Sequence, residues 1–419
     1  MKLYVSNAAM IESKLNWQPR FADRMDGMQA SEIRELLKII DQPGIISFAG
    51  GIPDPNLFPK NEVAEAYQAI FACSQSAEKA LQYSISEGDP ALRNWLVDHM
   101  KKQGVNCTSE NILITCGSQQ ALEFLGRLFI SPGDTALVTA PTYLGALQAF
   151  SANQPSYDFL PTRCTNRTAG SYKELAKETD SQVSFAYVVP DFANPTGETL
   201  SSAERLRLLD LVRELAIPLV EDSPYSEIRF KGERLASLLA LDCQAKGSIE
   251  ASQVIFCGSF SKIFTPGLRV GWVCASSEII NRLCLIKQAS DLNSPAINQK
   301  VMAKLAERQF EAQVRKTTSR YKRKRDAMLA ALEKHMPAGV NWTKPEGGMF
   351  VWVTLPEKLD AAALLELSVQ EAGVAFVPGQ AFFADKSGKN TLRLSYSLPS
   401  LEAIETGIEK LAVLLRKKI

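Results

Sequence analysis

A lysine stands among small hydroxyl residues in Gly258-Ser259-Phe260-Ser261-Lys262, directly after an apolar run, and Arg269 follows in Pro266-Gly267-Leu268-Arg269-Val270-Gly271. Partial burial and a nearby cation depress an amine's pKa, which suits such a lysine to Schiff-base chemistry. Taken singly, a solvated lysine is the commoner outcome, so the case rests on the residues around it. Asp222 ends another apolar run in Glu221-Asp222-Ser223-Pro224-Tyr225. A lone charge at a buried strand end is costly, so Asp222 needs a cationic partner, and a structural ion pair fills that need as readily as a ligand. Asn194, in Asn194-Pro195-Thr196-Gly197, has its amide fixed by a turn at a strand end.

Three further segments carry polar or aromatic groups. Gly117-Ser118-Gln119-Gln120 opens a helix after a strand, and the free N–H groups and dipole of a helix start suit a phosphate. By itself such a turn is more often plain geometry. Tyr143, in Pro141-Thr142-Tyr143, either stacks on a planar ligand or fills core. In Thr391-Leu392-Arg393-Leu394-Ser395 the alternation predicts leucines toward the core and Arg393 on the other face with Thr391 and Ser395. That arginine either clamps a carboxylate through two parallel hydrogen bonds or stands exposed.

These residues need a scaffold that brings strand ends together. β-rich runs at 111–115, 135–139, 183–189, 217–221 and 254–257 alternate with helical periodicity such as that of 203–215. The pattern predicts βαβ units and an α/β fold with a mostly parallel, buried sheet, whose ligands bind beyond the carboxyl ends of the strands. After about residue 295 a long helix over 296–332, then Gly347-Gly348 and the run 349–354, mark a smaller α+β unit. The basic cluster from Arg315 to Arg325 reads as a solvated helix face rather than a nucleic-acid patch. Near the start, Ser31 caps a predicted helix with an apolar face of Ile33, Leu36, Leu37 and Ile40, and Arg34 borders that face.

Composition narrows the chemistry. The 419 residues suit two or three domains, and 46% hydrophobic content supplies a large core. Lysine and arginine total 47 against 46 acids, a net charge of +1 that points to neither a polyanion nor a charged membrane surface. Only two histidines occur, in no metal-ligand spacing, so no metal site is expected and the base is some other residue. Eight scattered cysteines without a Cys-x-x-Cys pair read as reduced thiols in a cytoplasmic protein. No apolar run reaches the length of a signal peptide or a membrane span, so a soluble protein without a membrane partner is expected.

Taken together, the anion-binding amides with Arg269, the aromatic, the carboxylate, the amide and the lysine match the functional groups of pyridoxal 5'-phosphate: phosphate, ring face, ring nitrogen, ring oxygen and aldehyde. The ordered segments Gln29-Ala30-Ser31-Glu32-Ile33-Arg34-Glu35-Leu36-Leu37, Ser47-Phe48-Ala49-Gly50-Gly51, Leu81-Gln82-Tyr83-Ser84, Gly117 to Gln120, Asn194 to Gly197, Gly258 to Lys262 and Thr391 to Ser395 extend this match along the chain. In this the sequence resembles the fold-type I pyridoxal-phosphate aminotransferases of class I/II, within them the bacterial 2-aminoadipate and the kynurenine/2-aminoadipate enzymes.

The resemblance implies a three-layer large domain over 65–298, a small domain at 299–419, and 1–64 as an arm joined to the small domain. It makes Lys262 the Schiff-base lysine and carrier of the substrate's α-proton, and Asp222 the partner of the ring nitrogen. Asn194 and Tyr225 would bind the ring oxygen, and Tyr143 would stack on the ring. Ser118, Gln119, Ser259, Ser261 and Arg269 would hold the phosphate. Tyr83 would reach the neighbouring subunit's phosphate in a homodimer. Arg393, with the Gly51 backbone nearby, would bind the substrate α-carboxylate, and Arg34 the distal carboxylate of acidic substrates. A ping-pong transfer from 2-aminoadipate, aromatic amino acids, kynurenine, leucine or methionine to 2-oxoglutarate follows. The rivals are a β-lyase or decarboxylase on the same cofactor and, further off, an inactive effector-binding domain of a transcriptional regulator. With little chain before the match and the full catalytic set present, a DNA-reading domain is not expected.

Overall fold

The computed structural model describes residues 16–25, 27–28, 44–162 and 167–419. The predicted Ser31 helix and Arg34 lie outside the described residues. The first strand, β1 (Ile46–Ser47), is followed by helices α1 (Lys60–Phe71), α2 (Ser74–Leu81) and α3 (Pro90–Lys102). A run of strands and helices then builds the central layer: β2 (Ile112–Thr115), α4 (Ser118–Phe129), β3 (Thr135–Val138), α5 (Leu144–Ser151), β4 (Ser156–Phe159), α6 (Ala169–Glu178), β5 (Val183–Val188), α7 (Ser202–Leu215), β6 (Leu219–Asp222), α8 (Leu238–Lys246), β7 (Val254–Ser259), β8 (Gly271–Cys274) and α9 (Ser277–Ser290).

The seven strands β2 to β8 lie in the order β2-β8-β7-β6-β5-β3-β4, and only β8 runs against its neighbours. Central strands such as Val254–Ser259 are buried along their whole length, because helices cover both faces of a parallel sheet. The five predicted strands are present. The sequence reading missed β4, whose Ser-Tyr-Asp-Phe lies on the sheet edge and is largely uncovered, and β8, which begins on a glycine.

The direction of β8 matters for the site. Gly271, its first residue, pairs with Thr115 at the end of β2 and Ser259 at the end of β7. A strand entering at the carboxyl edge carries the residues before it, including Arg269, to the place where β2 and β7 deliver theirs.

The rest of the chain comprises α10 (Ala296–His335), β9 (Asn341–Trp342), β10 (Phe350–Thr354), α11 (Ala361–Leu367), β11 (Val374–Ala375), β12 (Val377–Pro378), β13 (Thr391–Ser395) and α12 (Leu401–Arg416). Strands β12, β13, β10 and β9 form a four-stranded sheet, while β1 pairs in parallel with β11. Helix α10 packs on α1 and α3 as well as on α12. Its basic cluster is not uniformly solvated. Lys324 is 1% exposed and donates to Asp54 (2.8 Å) and to the Ser397 carbonyl (2.6 Å), while buried Arg325 donates to the Pro345 carbonyl. Lys316, with the Leu57 carbonyl, and Arg320, with Asp54, add further ties between α10 and its neighbours, which charge counting alone does not show. Both faces of β13 are also buried, so of the two readings of Arg393 the exposed one does not hold.

The loop carrying Asn194 is anchored by Arg205 of α7. Its fully buried guanidinium donates to the carbonyls of Leu200 (3.1 Å), Ala236 (3.0 Å) and Pro190 (3.3 Å) and pairs with Asp191 at 2.8 Å. Arg205→Ala strands the Leu200 and Ala236 carbonyls, while Pro190 keeps the Leu200 N–H at 2.8 Å, and half-frees Asp191, which keeps Arg229 at 2.9 Å. The variant is expected to lose about 3 kcal/mol of stability, near the low end for breaking a buried pair, read from the denaturation midpoint in urea.

Candidate active site

A cavity of about 250 Å³ lies at the carboxyl edge of the large sheet, against the C-terminal unit. Its wall includes Gly51, Ser118, Gln119, Tyr143, Asn194, Asp222, Tyr225, Ser259, Ser261, Lys262, Arg269 and Arg393. Of the residues singled out in the sequence, Tyr83 stands apart, 79% exposed and away from the cavity.

Lys262 sits in the turn after β7, and its Nζ donates to the Gly51 carbonyl at 3.3 Å. Burial, then the guanidiniums of Arg269 and Arg393, push its pKa down to about 8 against the pull of Asp222. An amine so poised gives up its proton far more readily than an ordinary lysine, as a nucleophile or a base requires.

The Glu221-Asp222 doublet splits across β6 because successive strand residues face opposite sides. Glu221 accepts the N–H groups of Leu238 (3.1 Å) and Leu239 (2.9 Å) at the start of α8. Asp222 faces the cavity, where its Oδ2 accepts the Tyr187 hydroxyl at 2.8 Å. Its Oδ1 is buried with no hydrogen-bond partner among the described residues. Burial pushes the carboxyl up to about 6, against the Tyr187 hydrogen bond and the Lys262 charge. No ion pair reaches it among the described residues, so the structural salt bridge considered for Asp222 is not what it makes.

Opposite, Arg393 is 1% exposed. It donates to Asn194 Oδ1 (2.8 Å) and the Ala49 carbonyl (2.6 Å) and lies over the rings of Phe350 (4.4 Å) and Phe382 (5.0 Å). It has no carboxylate partner among the described residues, and its Nε has no hydrogen-bond partner. Burial lowers its pKa to about 10. The Tyr225 hydroxyl lies beside the Asn194 amide, and its ring meets Phe350 edge-on.

The third corner is the start of α4. Gly117 caps the helix at φ +76, with no side chain bonding the first-turn N–H groups. A Cβ there would run into the Arg269 guanidinium, so glycine is required twice over. The Gln119 side-chain amide donates to the Gly145 carbonyl at 2.6 Å, and the residue lies in the cavity wall. Gly145 in turn has no Cβ to collide with the Tyr143 ring.

The cavity therefore presents a carboxylate with a bare oxygen, a guanidinium without a counter-ion, a bare helix start beside Arg269 and a flat aromatic. Such a wall fits a planar group that carries an N–H cation and a phosphate, next to a molecule with a carboxylate.

The chain matches the family Aminotransferase class I and II over residues 45–411 and belongs to it. It is a transaminase whose cofactor is pyridoxal 5'-phosphate. It is 40% identical to aromatic-amino-acid aminotransferase 1 of Thermococcus litoralis over 97% of this chain and 96% of the relative. Identity to the 2-aminoadipate transaminase of Thermus thermophilus is 41%, over 95% of this chain and 96% of the relative. A kynurenine aminotransferase structure from Pyrococcus horikoshii, in complex with PMP, superposes with a TM-score of 0.88 at 39% identity, covering 96% of this chain and 98% of the other.

Sequence reasoning missed Ile52, Val189, Pro224, Pro266 and Phe350 in the cavity wall, and Tyr187 behind it. Phe350 follows the Gly347-Gly348 pair, which marks a strand start but not its neighbour across β13. Tyr187 reads as one more apolar position of a buried strand.

Proposed function

We propose that the enzyme transfers the amino group of 2-aminoadipate, aromatic amino acids, kynurenine or leucine-like donors to 2-oxoglutarate in two half-reactions. One observation carries the residue roles: a half-buried amine stands in a single cavity between an incompletely bonded carboxylate and a guanidinium without a counter-ion. Lys262 holds the cofactor covalently at rest, Asp222 faces its ring nitrogen, and Asn194 and Tyr225 hold its ring oxygen. Tyr143 covers the ring, while Ser118, Gln119, Ser259, Ser261 and Arg269 hold the phosphate. When bound, the cofactor supplies an electron sink for the substrate Cα. Arg393 and the Gly51 backbone hold the α-carboxylate, which fixes the Cα–H bond toward Lys262. Its Nζ takes the α-proton and later returns one. Burial of Asp222, Tyr225 and Arg393 keeps water from competing for these groups.

The breadth of the donor range follows the names of the relatives, which include aromatic and 2-aminoadipate enzymes. A Thermus α-aminoadipate enzyme solved with a phosphopyridoxyl-leucine superposes with a TM-score of 0.86 at 40% identity. A donor panel with 2-oxoglutarate, read as kcat/KM ratios, tests the range. Pyruvate and ammonia released without any oxo acid would instead favour a β-lyase. For Arg34, proposed to meet a distal carboxylate, Arg34→Ala should cost acidic donors about tenfold or more while sparing aromatic ones. Equal losses on both would refute that role.

We further propose a cytoplasmic homodimer, with the domain limits given above and Tyr83 completing the neighbouring site. Leu81, Tyr83 and Ile85 are all exposed in the single chain, as residues awaiting a partner subunit would be. Light scattering on the purified protein distinguishes a dimer from a monomer.

A further inference from the structure

The chain carries a tyrosine behind Asp222 that no role above uses. Tyr187 lies on β5, one strand over from Asp222, and is fully buried with its ring edge-on to Phe150 at 5.7 Å. Its hydroxyl donates to Asp222 Oδ2 at 2.8 Å, which leaves Oδ1 as the free oxygen of that carboxylate. Other titratable groups bear on Asp222 from every side. Tyr143 comes from the start of α5, Tyr225 from the loop after β6, Cys257 from β7 and Lys262 from the turn beyond it. Only Tyr187 is hydrogen-bonded to it among the described residues.

We propose that Tyr187 is a positioning residue that fixes the Asp222 carboxylate with one oxygen toward the cofactor ring nitrogen and keeps it ionised. This rests on the assignment of Asp222 to that nitrogen. A buried phenol resists losing its proton, and here burial and Asp222 itself hold the Tyr187 pKa far above its ordinary value. It therefore donates at every working pH and cannot compete as an anion. With one oxygen held from behind, the carboxylate cannot rotate to share both oxygens with the ring. The donated hydrogen bond also favours the charged form, so removing it raises the proton affinity of Asp222. A neutral Asp222 no longer pairs with a protonated ring nitrogen.

The test is retention of pyridoxal phosphate by the holoenzyme, dialysed at a series of pH values and read by its visible absorbance. Three variants are compared with the wild type: Tyr187→Phe, Asp222→Asn and the double variant. Tyr187→Phe keeps the ring volume, and its thermal midpoint shows whether it is folded. It should release cofactor about 10- to 100-fold faster near neutral pH, as for a lost hydrogen bond to a charged group. Its release midpoint should move up by about one pH unit. Added to Asp222→Asn, the tyrosine substitution should change little, because its effect runs through the carboxylate. A Tyr187→Phe enzyme that holds cofactor like the wild type at every pH, while Asp222→Asn loses it, overturns the proposal. An Asp222→Asn enzyme that retains cofactor normally overturns the assignment beneath it as well.

Discussion

Lys262→Ala should leave a folded protein that lacks the visible absorbance expected of cofactor bound to the lysine, and whose transamination rate falls by about 10²- to 10⁴-fold, the span set by loss of a positioned acid–base group. The expectation follows from the surroundings of Lys262. Its amine lies within hydrogen-bond reach of the Gly51 carbonyl, and burial with two guanidiniums holds it near neutrality. Its lowered pKa also fixes a sign. Below about 8 the free amine is mostly protonated and unable to attack an aldehyde, so capture of added pyridoxal phosphate by cofactor-stripped protein should speed up as the pH rises through that value. Rapid-mixing absorbance at several pH values measures this. A Lys262→Ala enzyme that transaminates at the wild-type rate would remove the foundation of the proposed mechanism.

Arg393→Ala should lower kcat/KM by a factor of roughly 30 to several thousand, the loss of about 2–5 kcal/mol expected when one side of a buried charged pair is removed. The loss should be similar for acidic, aromatic and aliphatic donors, because every one of them presents the same α-carboxylate. That uniformity distinguishes Arg393 from Arg34, whose substitution should divide the donors by side chain. It also differs from Arg205→Ala, which breaks an ion pair made within the protein and so should act mainly on stability. Among the described residues Arg393 has no such internal carboxylate to strand. A donor panel on Arg393→Ala, with its thermal midpoint recorded alongside, checks both points, and a loss confined to one donor class would move the α-carboxylate elsewhere.

The residues legible in the sequence share a physical origin. Lys262, Asn194, Ser118 and Tyr143 each follow a strand and Asp222 ends one, and in a parallel sheet the strand ends converge on one edge, so local pattern already implies common location. Arg393 reaches the same cavity from a different sheet, and only a family resemblance brought it there. Its burial went against the simplest reading of alternation because β13 is covered on both faces. Tyr187 and Phe350 were not legible at all. Each looks like ordinary core, and what makes it matter is a neighbour distant in sequence: Asp222 in one case, Arg393 in the other. Strands β4 and β8 were missed for different reasons: the one is polar and largely uncovered, and the other opens on a glycine that reads as a turn.

The split of Glu221 and Asp222 across β6 also bears on how the chain can change over time. Two carboxylates, adjacent in sequence, serve a helix start on one side and the cavity on the other. Inserting or deleting one residue within β6 turns every later side chain of the strand to the opposite face. The helix would then meet the shorter acid and the cavity the longer one, with both hydrogen-bond sets broken at once. Point replacements can explore this strand one position at a time, whereas changes of its length cannot. Lineages descended from this sequence should therefore vary the composition of β6 while keeping its residue count fixed.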